Sequence, residues 1–422
     1  MNSVTLVSFA RDWLSAYNNP MKYDFDRLID RTGTNCVKWD MRREVFGTDD
    51  LIPMWVADMD FAVAEPITAA LRKRTAHPIY GYTSPSPSLI EAVVDRLRRK
   101  YNWKVNPEWV VFTPGVIPAI AAALKALIHP GDSVVINDPI YHPFWALVAG
   151  AGCRVAASPM KFEGGRYEMD FGDLKRLFST PHPGFMAPPQ PKAKILCNPH
   201  NPVGRVYTPD EQRKIGEIAI DSGAIVISDE VHCELLFDGT KHTPFATLSE
   251  EFAQNSITCM SASKTFNLAG LAASVIIIPN AHLRADFQTA RAGIMPQPDS
   301  MALAALEAAF RDGDEWLQQL LAYLQGNLDF LVDFFEKRIP KIKVVRPQGT
   351  YLVWLDCRGL GLDSKALRNF FIHQARVGLD EGCRFGPHGE GFMRMNIACP
   401  RSTLEEALTR IEKAVNGQVQ SL

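Results

Sequence analysis

The chain has no long run of basic residues, no internal repeat, no C-x-x-C pair and no apolar stretch fit to span a bilayer. Each absence narrows what it can do. Lys and Arg number 45 against 47 Asp and Glu, a formal net charge of −2, so neither nucleic acid nor an anionic membrane is an expected partner. The eight cysteines, Cys36, Cys153, Cys197, Cys233, Cys259, Cys357, Cys383 and Cys399, are scattered. Several lie in apolar runs such as "ILCNP" and "ITCMS", where Cys packs as a small hydrophobe. A reducing, intracellular compartment is expected. The N-terminal "MNSVTLVSFARDWL" lacks a leading positive charge, and Arg11 and Asp12 interrupt its apolar run. No signal peptide is expected, and the expected location is cytoplasmic. His200, His232 and His242 lack metal-ligand spacing, so no metal is expected.

What is present is ordinary globular material: 422 residues, 46% hydrophobic and 22% charged. A core of this size needs no disulfides, and the length suggests more than one domain. Between residues 109 and 278, short β-branched runs alternate with helical patterns. "WVVFTPG", "DSVVINDP", "KILCNP", "AIVISDE", "SITCMS" and "SVIIIP" read as strands, and "VIPAIAAALKALIH" and "PDEQRKIGEIAIDSG" as helices. The strands are nearly continuous apolar runs, which predicts burial on both faces. The Pro-rich stretch over 180–194 reads as an exposed loop. From about residue 314 the texture changes to a long helical stretch, a hairpin and two further helices. The expectation is an α/β protein of three layers, a mostly parallel central sheet flanked by helices over 61–313. A smaller α+β domain follows over 314–422, with the segment 1–60 packed against it.

Each apolar strand ends in polar side chains. The first is followed by "TPGV", the second by "NDPIYHPF", the third by "NPHNPVG", the fourth by Asp229, Glu230 and His232, and the fifth by Ser261, Ser263 and Lys264. Ligands of open α/β sheets bind beyond the carboxyl ends of the strands. Five such ends gather an aromatic ring, an amide, a carboxylate, hydroxyls and an amine. The helix start near Val116 adds N–H groups suited to phosphate. Pyridoxal 5′-phosphate matches that set, because it needs an amine for its aldehyde, an acid for its ring nitrogen, a flat face and a phosphate cradle.

"NPHNPVG", "SDEVH" and "SASKTFNLAGL", in this order, resemble fold-type I pyridoxal-phosphate enzymes of the aspartate aminotransferase superfamily. "MWVADMDF", "YGYTSP", "LCNPHNPVGRVYTPDE", "ISDEVHCELLF", "GTYLVWLD" and "GFMRMNIACPRS" resemble its MalY/PatB-type cystathionine β-lyase branch. The likeness runs from about residue 21 to 416. It implies that Lys264 is the Schiff-base lysine and Asp229 the partner of the pyridinium nitrogen. Asn201 and His232 then lie near the ring's 3′-oxygen, and Tyr141 stacks on the ring. Gly115, Val116 and Ile117 offer backbone N–H groups to the phosphate, with Ser261 and Ser263 as hydroxyl donors. Arg394 clamps the substrate carboxylate, since guanidinium matches carboxylate in a bidentate fork. Tyr82 reaches the cofactor of a partner subunit, which makes the working unit a homodimer. A plain core tyrosine at 82 and a surface ion pair at 394 are the competing readings. Asn198 reads as a loop residue, and Trp55 and Trp354 as packing.

Three departures from the superfamily pattern stand out. No arginine follows Lys264 in "LAGLAAS", His232 stands where many aminotransferases have tyrosine, and "DEGCRFG" replaces the usual Pro-Gly turn. The implied reaction is α,β-elimination on an S-substituted cysteine such as cystathionine, giving thiol, pyruvate and ammonia. A pyridoxal-phosphate-dependent class I/II aminotransferase is the alternative. A cofactor-sensing DNA-binding regulator is disfavoured, because the residues before "MWVADMDF" are too few and not basic.

Overall fold

A computed structural model of the chain describes residues 22–179 and 190–419. The N-terminal stretch considered for a signal peptide lies outside those residues, as does most of the 180–194 loop. Its final residues already belong to a strand that begins at Pro191.

In chain order the strands are β1 (Ile52–Pro53), β2 (Val110–Thr113), β3 (Ser133–Asp138), β4 (Arg154–Pro159), β5 (Lys161–Glu163), β6 (Arg166–Glu168), β7 (Pro191–Cys197), β8 (Ile225–Asp229), β9 (Ser256–Met260) and β10 (Ser274–Ile277). After a long helix come β11 (Lys343–Val345), β12 (Leu352–Asp356), β13 (Val377–Gly378), β14 (Asp380–Glu381) and β15 (Phe392–Asn396). Seven of these form one sheet in the order β2-β10-β9-β8-β7-β3-β4. β10 runs antiparallel to both its neighbours, and the other pairs are parallel. The carboxyl ends of β2, β9, β8, β7 and β3 therefore share one edge.

The continuous apolar runs have a simple cause. Side chains alternate across a strand, and both faces are covered. Val134, Ile136, Ile195 and Ile227 point into one apolar cluster, with Ile120 and Phe287 from the helices Val116–Leu127 and Ala281–Arg291. Val135, Leu196 and Val226 point into another, with Leu174 and Ile215 from the helices Phe171–Ser179 and Pro209–Ile220. The last of these helices starts in a reciprocal cap, in which Thr208 and Glu211 each accept from the other's backbone N–H.

A second sheet, β11-β12-β15-β14, is antiparallel throughout. β1 pairs with β13, which ties the N-terminal segment to this unit. A third apolar cluster is continuous from Ile277 and Leu306 through Leu320 and Leu328 of the helix Asp314–Arg338 to Leu352. The two sheets thus share packing rather than standing apart. Among the described residues no helix is long and apolar enough to cross a membrane.

One polar side chain pins this shared core. Asn327 is fully buried in the long helix, and its amide donates to the carbonyls of Ile397 (3.0 Å) and Cys399 (2.9 Å) and accepts from Arg401 Nε (2.8 Å). Removing it strands two buried carbonyls, each worth about 1–3 kcal/mol. Asn327→Ala should lower unfolding stability by about 2–4 kcal/mol. Urea unfolding followed by circular dichroism measures this, and a loss below about 1 kcal/mol refutes the account.

Candidate active site

The strand ends bring their polar residues to one edge of the first sheet. β2 ends at Thr113, whose hydroxyl donates to Gly115 O at 3.1 Å. Gly115 is the N-cap of Val116–Leu127 at φ 135°, a conformation that L side chains resist. No side chain caps this helix. Its first N–H groups, those of Val116 and Ile117, are open to an anion.

β8 ends at Asp229, buried at 4% exposure. Its one hydrogen bond is from Val231 N at 3.2 Å. No cationic side chain among the described residues forms an ion pair with it. Burial pushes this carboxyl up to about 7; the neighbouring Glu230 adds to the effect, while the Val231 N–H and Lys264 oppose it. Glu230 itself is fully satisfied, by Ser228 Oγ and Phe245 N on one oxygen and His242 Nε2 at 2.8 Å on the other.

β9 ends at Met260 and leads into the short helix Ala262–Thr265. Ser261 caps it, accepting from Ser263 N at 3.0 Å and donating to Ala273 O at 2.7 Å. The Ser261 proton is therefore committed to the protein. The Ser263 hydroxyl has no partner among the described residues and is the free donor. Lys264 Nζ donates to the Ala57 carbonyl at 2.7 Å, and Tyr351 OH donates to the same oxygen at 2.9 Å. Burial, helped by the Arg394 charge, lowers the Lys264 ammonium to about 8.

The segment that offers Ala57 is itself anchored. Asn267 bonds both the N–H and the carbonyl of Met59, and Asn396 donates to Val56 O and Asp58 O. Arg31 pairs with Asp58 and Asp60, both at 2.7 Å, and the buried Lys38 pairs with Asp60 at 2.6 Å.

Arg394 on β15 is buried, not a surface ion pair. Its guanidinium donates to Asn201 Oδ1 (3.0 Å), Trp55 O (2.9 Å) and Asp380 Oδ2 (2.8 Å), over the ring of Phe385. Three of its five N–H groups are so engaged; Nε has no partner. His232 is buried with its ring edge toward Tyr351, its Nδ1 unpartnered. Burial and the nearby Lys264 and Arg394 charges hold it well below the ordinary imidazole value, hence neutral. Tyr141 is half-buried against Phe144, and burial raises its phenol. Asn198 accepts from Tyr207 N at 3.0 Å, as a loop residue does. Trp354 is buried and stacked on Phe392, and Trp55 packs on Phe46. Tyr82 is neither core nor part of this cluster; it is fully exposed.

Sequence reasoning missed Asp380, Asn267 and the Ala57 carbonyl. Tyr351 and Asn396 lay inside the motifs "GTYLVWLD" and "GFMRMNIACPRS", but nothing in their spacing announced a role. The donor set suits a flat, phosphorylated carbonyl compound with a basic ring nitrogen. The amine of Lys264 could meet the carbonyl, the unpaired Asp229 a cationic nitrogen, and the helix start with Ser263 the phosphate.

Comparison with known proteins agrees. The family model "Aminotransferase class I and II" matches residues 50–411. Cystathionine beta-lyase PatB of Bacillus subtilis (strain 168) is 42% identical, over 93% of this chain and 100% of its own. Protein MalY of Escherichia coli (strain K12) is 32% identical, over 94% of this chain and 99% of its own. Cystalysin from Treponema denticola, whose crystal structure contains a pyridoxal 5′-phosphate cofactor, superposes with a TM-score of 0.90 at 34% identity, covering 94% of this chain and 100% of its own.

The unpaired carboxylate makes a prediction about pH. Because burial raises Asp229, the folded cofactor-free chain holds its proton more tightly than the unfolded chain. This group's contribution is fully present at low pH and lost as pH rises through about 7. Asp229→Asn keeps the acceptor for Val231 N without the charge. Cofactor-free D229N should melt about 5 °C above cofactor-free wild type at pH 8, with the gap closing near pH 4. Calorimetry at the two pH values checks this; an equal gap at both is the contrary result.

Proposed function

The chain belongs to the class I and II aminotransferase family, and from that premise we propose that it is a pyridoxal 5′-phosphate-dependent carbon–sulfur β-lyase. It cleaves S-substituted L-cysteines such as cystathionine to a thiol, pyruvate and ammonia. The observation that carries the reading is Asp229, a buried carboxylate without a cation, beside a lysine amine and a helix start open to phosphate. Relatives named cystathionine beta-lyase support elimination over amino transfer.

The cofactor, when bound, supplies an aldehyde that captures an amine and a pyridinium ring that stores the electron pair released at the substrate Cα. Lys264 is the residue for the aldehyde and, once freed, the general base for the Cα proton. Its lowered value of about 8 suits that task, since an acid–base group works best near ambient pH. Asp229 holds the positive charge on the ring nitrogen, and that charge in turn favours its ionised form. Asn201 spends its amide oxygen on Arg394, so its amide nitrogen is the donor for the ring's 3′-oxygen. The neutral His232 would lie near that oxygen, and Tyr141 would cover a ring face. Gly115, Val116, Ile117 and Ser263 hold the phosphate, with Ser261 shaping the turn. The two unengaged N–H groups of Arg394 take the substrate carboxylate.

A homodimer belongs to this proposal, with Tyr82 completing the partner's site. The exposure of Ile79, Tyr80 and Tyr82 supports it, since such side chains seldom stand together in water. The proposal also divides the chain into a large domain over 61–313 and a small one over 314–422, with the N-terminal segment 1–60 packing with the small domain; the β1–β13 pairing supports that packing.

Two experiments test this. Wild type should release pyruvate from cystathionine with no added keto acid. Lys264→Ala should lose the visible cofactor band and at least about 10³-fold of the rate; a turnover that needs a keto acid points to the aminotransferase instead. Sedimentation at micromolar concentration should give twice the chain mass, and Tyr82→Ala should weaken cofactor retention. A monomer with full activity contradicts the dimer.

A further inference from the structure

We propose that Arg384 reads a carboxylate carried on the substrate's sulfur substituent, so that the favoured leaving groups are acid-bearing thiols. This rests on the lyase reading above and adds the substrate class. Arg384 lies in the short 3-10 helix Gly382–Phe385, within the "DEGCRFG" stretch where the chain departs from its superfamily. Its Nη1 donates to Asp380 Oδ1 at 2.7 Å, while Asp380 Oδ2 accepts from Arg394 at 2.8 Å. One buried carboxylate therefore bridges two guanidinium groups. Asp380 is 2% exposed and its two oxygens face one arginine each.

The charge count is informative. Two arginines share one acid, leaving one net positive charge before any ligand arrives. Arg394 is the inner of the pair and Arg384 the outer, its side chain 43% exposed. Arg384 Nη2 is 3.5 Å from His142 Nε2, and His142 follows Tyr141 in the chain. The Phe385 ring lies under Arg394 and edge-on to His142 at 5.6 Å, so Arg394 and the imidazole beside Arg384 pack on one ring. Burial and the arginine charges hold His142 down to about 4, so it offers no competing cation at neutral pH. Two other acids nearby are occupied, Glu381 by Arg368 at 2.8 Å and Asp138 by His388 at 2.7 Å, while Asp229, unpaired among the described residues, is the partner of the ring nitrogen in the lyase reading.

A substrate held by its α-carboxylate on Arg394 extends its sulfur arm away from that anchor. Arg384 is the next cation outward, spaced from Arg394 by the width of one carboxylate. A planar fork with free N–H groups recognises a second carboxylate there. The bland alternative is that Arg384 only neutralises Asp380, and a pair of isosteric substrates separates the two.

The test compares holoenzyme kcat/KM for S-(2-carboxyethyl)-L-cysteine and for its neutral isostere S-(2-carbamoylethyl)-L-cysteine, by pyruvate release. Wild type should prefer the acid, and Arg384→Gln should cut that preference about tenfold. Arg384→Lys should keep part of it. No preference in wild type, or an equal loss on both substrates in R384Q, overturns the proposal. Should wild type release pyruvate from neither compound, the lyase reading fails first. Calorimetric Kd values for the same pair then decide whether Arg384 still selects the acid.

Discussion

Burying a guanidinium demands acceptors for its N–H groups, and Arg394 finds them on three separate parts of the chain. Asp380 comes from the strand beside it, Asn201 from the loop beyond β7, and Trp55 O from the N-terminal segment. One side chain thereby fixes the second sheet, the first sheet's carboxyl edge and the early residues against each other. Removing a partner from such a set costs several kcal/mol, because the remaining charge stays buried. The second sheet is set against the carboxyl edge of the first by that constraint. The Phe385 ring packs under the guanidinium, and the apolar clusters hold the strand ends in register.

The opposite arrangement holds for Asp229 and Lys264. Neither has an ion-pair partner among the described residues, although each is taken out of water. Their proton affinities move toward one another, up to about 7 for the acid and down to about 8 for the amine. Groups shifted in this way are costly to the fold and useful to chemistry. In the proposed reading, a cationic ring nitrogen beside Asp229 would supply the compensation that the described residues withhold.

Much of this was legible beforehand because it follows from local rules. Val134, Ile195 and Ile227 lie in runs that are apolar on both faces, and such runs require cover on both sides. Asp229, Ser261 and Lys264 directly follow such runs, where an α/β sheet exposes its carboxyl ends. What stayed hidden depends on contacts distant in sequence. The antiparallel course of β10 is set by where its neighbours lie, not by "SVIIIP" itself. Asp380 meets Arg394 across the β14–β15 pairing, and Ala57 meets Lys264 from about two hundred residues away. A backbone carbonyl has no letter in the sequence, so its use as an acceptor could not be read. Ser261 shows the reverse case, in which a residue type suited to phosphate is engaged in capping its own helix.

The shared acceptor at Ala57 has a further consequence. A single carbonyl takes hydrogen bonds from the Lys264 amine and from the Tyr351 hydroxyl, and neither donor has a second partner among the described residues. The carbonyl cannot move toward one without loosening the other, and Asn267 and Asn396 hold the segment on both sides. The amine is thus aimed by a rigid acceptor rather than by an ion pair. An ion pair would raise the lysine's proton affinity and hold it charged; a carbonyl orients it while burial lowers that affinity. Orientation without charge compensation is what a lysine needs when it must give up its proton to act.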